Sequence, residues 1–70
     1  MIPITLAPTG TEIIIRQIRG NDEVKRHLES LGFAVGGRVT IISTLAGSII
    51  LKVKESRVAI GKDMAMKIFV

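Results

Sequence analysis

The sequence predicts a mainly β domain: a small five-stranded barrel with one α-helix after the first strand and a short helical turn before the last strand. Three observations carry that expectation. Hydrophobic residues make up 47% of the chain while aromatics make up only 3%, and much of the remainder is β-branched isoleucine and valine, which favour strands. Ser48 to Lys54 alternates with period two, Ile49, Leu51 and Val53 to one side and Ser48, Ile50, Lys52 and Lys54 to the other. Helical spacing with both end signals occurs once, between Asn21 and Gly32.

Seventy residues suffice for a single domain, 1–70. A chain of this length buries only roughly 60% of its unfolded surface, so its core is thin. With no cysteine, neither disulfides nor thiolate metal sites reinforce it, and aliphatic burial must do so.

Met1 to Gly10 holds both prolines and reads as an extended lead-in with a turn at Pro8-Thr9-Gly10. Glu12 to Ile18 reads as a strand, with Ile13 and Ile15 on one face, Ile14 and Ile18 on the other, and cover on both sides. Asn21 is the expected N-cap of the helix, with Asp22 and Glu23 in its first turn where negative charge favours the dipole. Val24, Leu28 and Leu31 form its apolar stripe, and Asp22–Arg26 and Glu23–His27 are spaced as i, i+4 pairs. Gly32 occupies the position of a left-handed C′ residue.

After Gly36-Gly37 the pattern gives three strands: Arg38 to Thr44 with Val39 and Ile41 on one face, a turn at Leu45-Ala46-Gly47, Ser48 to Lys54, a turn at Glu55-Ser56, and Arg57 to Ile60. Gly61 breaks the last of these, Lys62 to Met66 forms a helical turn, and Lys67 to Val70 is the closing strand. Curling such a set into an SH3-like barrel removes most exposed edges.

The net charge of +4 lies in the second half. Acids and bases balance over residues 1–35, whereas Arg38, Lys52, Lys54, Arg57, Lys62 and Lys67 face only Glu55 and Asp63 beyond them. That excess suits nucleic acid, an acidic protein, an anionic membrane, or simple edge protection. No apolar run approaches the ~20 residues of a membrane span and no signal-peptide pattern opens the chain, which points to the cytoplasm without direct membrane insertion.

Residues for catalysis are missing. His27 is the single histidine, placed at the margin of the helix stripe as a partly packed surface residue, and the acids are scattered. One histidine with no cysteine is a poor ligand set for iron(II), and Met64 and Met66 are expected to pack. Neither a G-x-x-x-x-G-K-[ST] nor a G-x-G-x-x-G motif occurs, so no cofactor is expected.

Several motifs in order resemble the FeoA family of ferrous iron transport accessory proteins. Leu6-Ala7-Pro8-Thr9-Gly10 is similar to its opening leucine-x-x-x-glycine turn. Leu31-Gly32-Phe33-Ala34-Val35-Gly36 resembles its helix end, and Val58-Ala59-Ile60 with Asp63 to Val70 resembles its closing strands. Gly47-Ser48-Ile49 departs from the family where proline is frequent, and Glu55-Ser56 where glycine is. The resemblance implies a non-enzymatic role on the cytoplasmic side of FeoB, a membrane transporter with a guanine-nucleotide-binding domain.

Two other functions compete. A nucleic-acid barrel or a proline-motif SH3 module needs aromatic side chains, and the chain has only Phe33 and Phe69, so no specific nucleic acid is expected. Domains of this kind also end metal-dependent repressors, but no DNA-binding helix pair precedes the barrel here, which favours a free-standing protein. The candidate partner-binding residues are Ile42, Leu45 and Ile50, rimmed by Lys52 and Lys54. A homo-oligomer is compatible with the pattern.

Overall fold

The computed structural model describes residues 1–70. A 3₁₀ turn, Ile4–Leu6, precedes β1 (Glu12–Ile14), β2 (Gln17–Ile18) and α1 (Asp22–Ser30). There follow β3 (Arg38–Leu45), β4 (Ser48–Val53), β5 (Ser56–Gly61), α2 (Lys62–Ala65) and β6 (Ile68–Phe69). The strands form an antiparallel four-stranded sheet in the order β1-β3-β4-β5 and a two-stranded sheet of β2 and β6. This is the expected SH3-like arrangement, with one refinement: the first strand is broken into β1 and β2, and its two parts join different sheets, which do not close into one continuous ladder.

The break lies at Ile15 and Arg16. Ile15 donates its N–H to the Gly37 carbonyl at 2.9 Å, whereas Arg16 donates to the Phe69 carbonyl at 2.8 Å. One residue therefore changes the partner from the β3 side to the β6 side. Ile15 is buried in the core while Ile14 is 45% exposed, so the strand is not covered on both faces as its isoleucines suggest.

The lead-in is also more structured than its prolines imply. Ile2 and Val70 exchange two backbone hydrogen bonds of 2.9 Å, tying the chain ends together beside β6. The 3₁₀ turn then carries Ile4 fully into the core. Arg19 lies 4.3 Å from the Phe69 ring centroid, a cation–π contact of about 0.5–1 kcal/mol that adds to the β2–β6 pairing.

Helix α1 begins as its sequence dictates. The Asn21 Oδ1 accepts from the Val24 N–H at 2.9 Å, with Asp22 and Glu23 in the first turn. Its i, i+4 charge pairs do not close; the chain's one ion pair joins Arg38 and Glu12 at 3.7 Å. The helix ends in a Schellman turn: Gly32 donates to the Glu29 carbonyl and Phe33 to the Leu28 carbonyl, both at 2.9 Å. Phe33 and Leu28, bracketing the turn, are both completely buried. They join Val39, Ile41, Ile49, Leu51, Val53, Ile60, Ala65 and Ile68 in the core with Ile4 and Ile15.

Gly32 adopts φ +101, and a Cβ there would lie 2.9 Å from the Val53 Cγ1. Positive φ alone costs a β-branched residue about 1–2 kcal/mol. Gly32→Val is therefore expected to lower unfolding free energy by more than about 1 kcal/mol in urea titration. A variant as stable as the parent would show that neither the turn nor the contact with Val53 constrains the fold.

Candidate functional site

The outward face of the four-stranded sheet is where the sequence-derived candidates fall. Ile49, Leu51 and Val53 point into the core, so Ile50 and Lys52 face away from it. Ile50 is half-buried between its cross-strand neighbours Ser43 and Ala59. In β3 the register shifts between Ile41 and Ser43, which makes Ile42 the extra residue of a β-bulge; it is 37% exposed. Bulges re-aim a side chain and sharpen the local twist. Leu45, 60% exposed, pairs with Ser48 at the end of the hairpin, whose turn is Ala46-Gly47 alone.

Ile4, Leu28 and Ala65, the buried residues of the lead-in and the two helices, belong to the core on the opposite side of the sheet. The lead-in and α2 flank this face at the hairpin tip, where Lys62 donates to the Gly47 carbonyl at 3.0 Å and Thr5 borders a recess with Leu45 and Ser48. The face thus divides into an apolar end at the β3–β4 hairpin, with Ile42, Leu45 and Ile50, and a basic end beyond it.

At the basic end Glu12, Arg38, Thr40, Lys52 and Lys54 line a recess without any apolar residue. Glu12, Thr40, Lys52 and Arg57 form one row across all four strands, so Lys52 and Arg57 are direct cross-strand partners. Sequence reading placed Lys52 outward but not opposite Arg57, because the register depends on a turn one residue earlier than expected, at Lys54-Glu55. Like charges in that position are destabilising, by about 0.2–1 kcal/mol. Lys54 follows at φ 57, the left-handed region, and is the only non-glycine residue with positive φ.

Other candidates do not assemble. His27 is exposed, not partly packed; its carbonyl accepts from the Ser30 hydroxyl at 2.6 Å. Met64 packs against the core, but Met66 is 54% exposed, because the short α2 turns it outward beside Phe69 and Lys67. No three His, Cys, Asp or Glu side chains gather as a metal site, and no helix is long and apolar enough to cross a membrane.

This is a small SH3-like domain whose larger sheet presents an outward face that is apolar at one end and basic at the other. Comparison with known proteins gives its family. The FeoA domain model matches residues 2–70, and the chain belongs to the FeoA family, accessory proteins of Fe(2+) transport. Over its whole length it is 34% identical to the Methanocaldococcus jannaschii protein named "Putative Fe(2+) transport protein A", covering 85% of that protein. It superposes on the crystal structure of the iron uptake regulatory protein FeoA with a TM-score of 0.87 at 28% identity, over 96% of this chain and 89% of that one. A manganese-dependent transcriptional repressor shares the fold at 20% identity, with a TM-score of 0.83, over 93% of this chain and 38% of the repressor.

Two outcomes follow. Lys54→Gly removes the left-handed lysine and should raise unfolding free energy by about 0.5 kcal/mol in urea titration, the strain relieved outweighing the added chain entropy; a loss of stability would refute the conformation of this turn. Anaerobic calorimetry at micromolar protein should show no stoichiometric iron(II) uptake, since His27 stands apart from any carboxylate cluster. A site abolished by His27→Ala would contradict this.

Proposed function

We propose that this chain is a non-enzymatic accessory or regulatory protein of ferrous iron uptake that docks on the cytoplasmic side of a FeoB-type transporter. The contact is the apolar patch of Ile42, Leu45 and Ile50, with Lys52 and Lys54 as its polar rim. The observation that carries this reading is an outward sheet face with adjoining exposed aliphatic side chains, in a chain of the FeoA family. An apolar centre with a charged margin is the anatomy of a protein interface. The names of its relatives, an Fe(2+) transport protein and an iron uptake regulatory protein, support the assignment to iron uptake.

The nucleic-acid alternative loses ground because neither phenylalanine offers a stacking surface: Phe33 is completely buried and the Phe69 ring lies under Arg19. Likeness to the repressor concerns the fold.

Ile50→Glu tests the docking face. The carboxylate would sit on the solvent side between Ser43 and Ala59, so stability should fall by no more than about 1 kcal/mol, the cost of losing a half-buried β-branched residue from a strand. Capture of the detergent-solubilised transporter on immobilised protein should be lost. A folded variant that still captures the transporter would place the interface elsewhere, and an unfolded one would make Ile50 core.

A further inference from the structure

We propose that the basic end of the outer sheet face, Arg38, Lys52, Lys54 and Arg57 around Thr40, binds the phosphate headgroups of an anionic lipid surface. The first support is a conflict in the fold. Lys52 and Arg57 stand directly opposite each other, an arrangement a sheet avoids. No acidic side chain forms an ion pair with Lys52, Lys54 or Arg57; the one ion pair of the chain engages Arg38 with Glu12. Glu55, in the same turn as Lys54, is exposed and unpaired as well. Lys52 and Arg57 on the sheet and Lys54 in the adjoining turn thus carry positive charge with no ion-pair partner, as an external anion requires.

The second support is the chemistry of the recess. Apart from Glu12, which is engaged by Arg38, its side chains are cations and the Thr40 hydroxyl, all able to donate to phosphate oxygens. The third is its shape. Strands lie about 4.8 Å apart, so Arg38 on β3, whose single exposed contact with Glu12 leaves other guanidinium N–H groups free, together with Lys52 on β4 and Arg57 on β5, spans roughly 10 Å along an open face. That spread exceeds one phosphate and matches an array of headgroups. Ile14, exposed and paired with Arg38, supplies an apolar margin on the same face. A nucleic-acid backbone presents similar phosphates, but the chain has no free aromatic ring for its bases. Lys52 and Lys54 also form the rim of the transporter contact, but its apolar centre, Ile42, Leu45 and Ile50, takes no part here, and headgroup binding is tested without the transporter and does not depend on that reading.

The test is co-sedimentation with phosphatidylcholine vesicles, with and without phosphatidylglycerol, in the absence of any transporter. The parent should partition only onto the anionic vesicles and be released as salt approaches ~1 M, where the Debye length is about 3 Å. Each juxtamembrane cation contributes about fivefold, so K52Q/R57Q should lose about 25-fold. Its melting temperature should not fall, since the like-charge pair is gone. K25Q/R26Q, on the exposed side of α1, removes equal charge and should bind like the parent. Equal partition onto neutral vesicles, parent-like binding by K52Q/R57Q, or an equal loss in K25Q/R26Q would overturn the proposal. So would binding to polyglutamate or single-stranded DNA but not to vesicles, or complete displacement by inorganic phosphate at matched ionic strength. Because no transporter is present, failure here leaves transporter capture unaffected, and loss of capture leaves vesicle binding unaffected.

Discussion

Because Gly32 lies at φ +101 with Val53 against its backbone, helix α1 can end flush with the sheet. Leu28 and Phe33 then reach the core from either side of one turn. Only 12 of 70 residues are buried, so these two side chains, with Val53 beside them, are a large share of what holds the chain together. A small domain has no second core to compensate for a misplaced helix. The Asn21 cap and the Schellman bonds set where the helix starts and stops, and that length decides where Leu28 falls.

The second constraint is the split first strand. With β1 on β3 and β2 on β6, the residues between them carry the chain from one sheet to the other, and Ile15 seals the corner. The paired ends, Ile2 with Val70, extend the smaller sheet by a further strand-like segment. The inward faces are thereby enclosed and the outer face of the larger sheet is left clear, which is the condition for it to meet a partner.

On that clear face the protein departs from what stability alone would select. Aliphatic side chains are exposed at a bulge and a hairpin end, a lysine sits at φ 57, and two cations oppose each other. Local conflicts of this kind gather at functional surfaces. At Asn21 and Gly32, by contrast, local preference and tertiary role agree.

Much of this was legible in the sequence where the cause is local. The cap at Asn21, the left-handed Gly32 and the inward set Ile49, Leu51 and Val53 follow from side-chain chemistry within a few residues. The outward direction of Ile50 and Lys52 follows from the same alternation, and the order of motifs was enough to indicate the FeoA family. Ile4 in the core, the break at Ile15, the bulge at Ile42 and the opposition of Lys52 to Arg57 were not legible. Each is settled by which distant backbone supplies a hydrogen-bond partner, and a one-residue change in a turn alters every cross-strand neighbour beyond it. Sequence by itself determined which side chains point inward along α1 and β4, where the period is unbroken; only the tertiary structure decided which of the outward ones meet, because that depends on pairing between strands far apart in the chain.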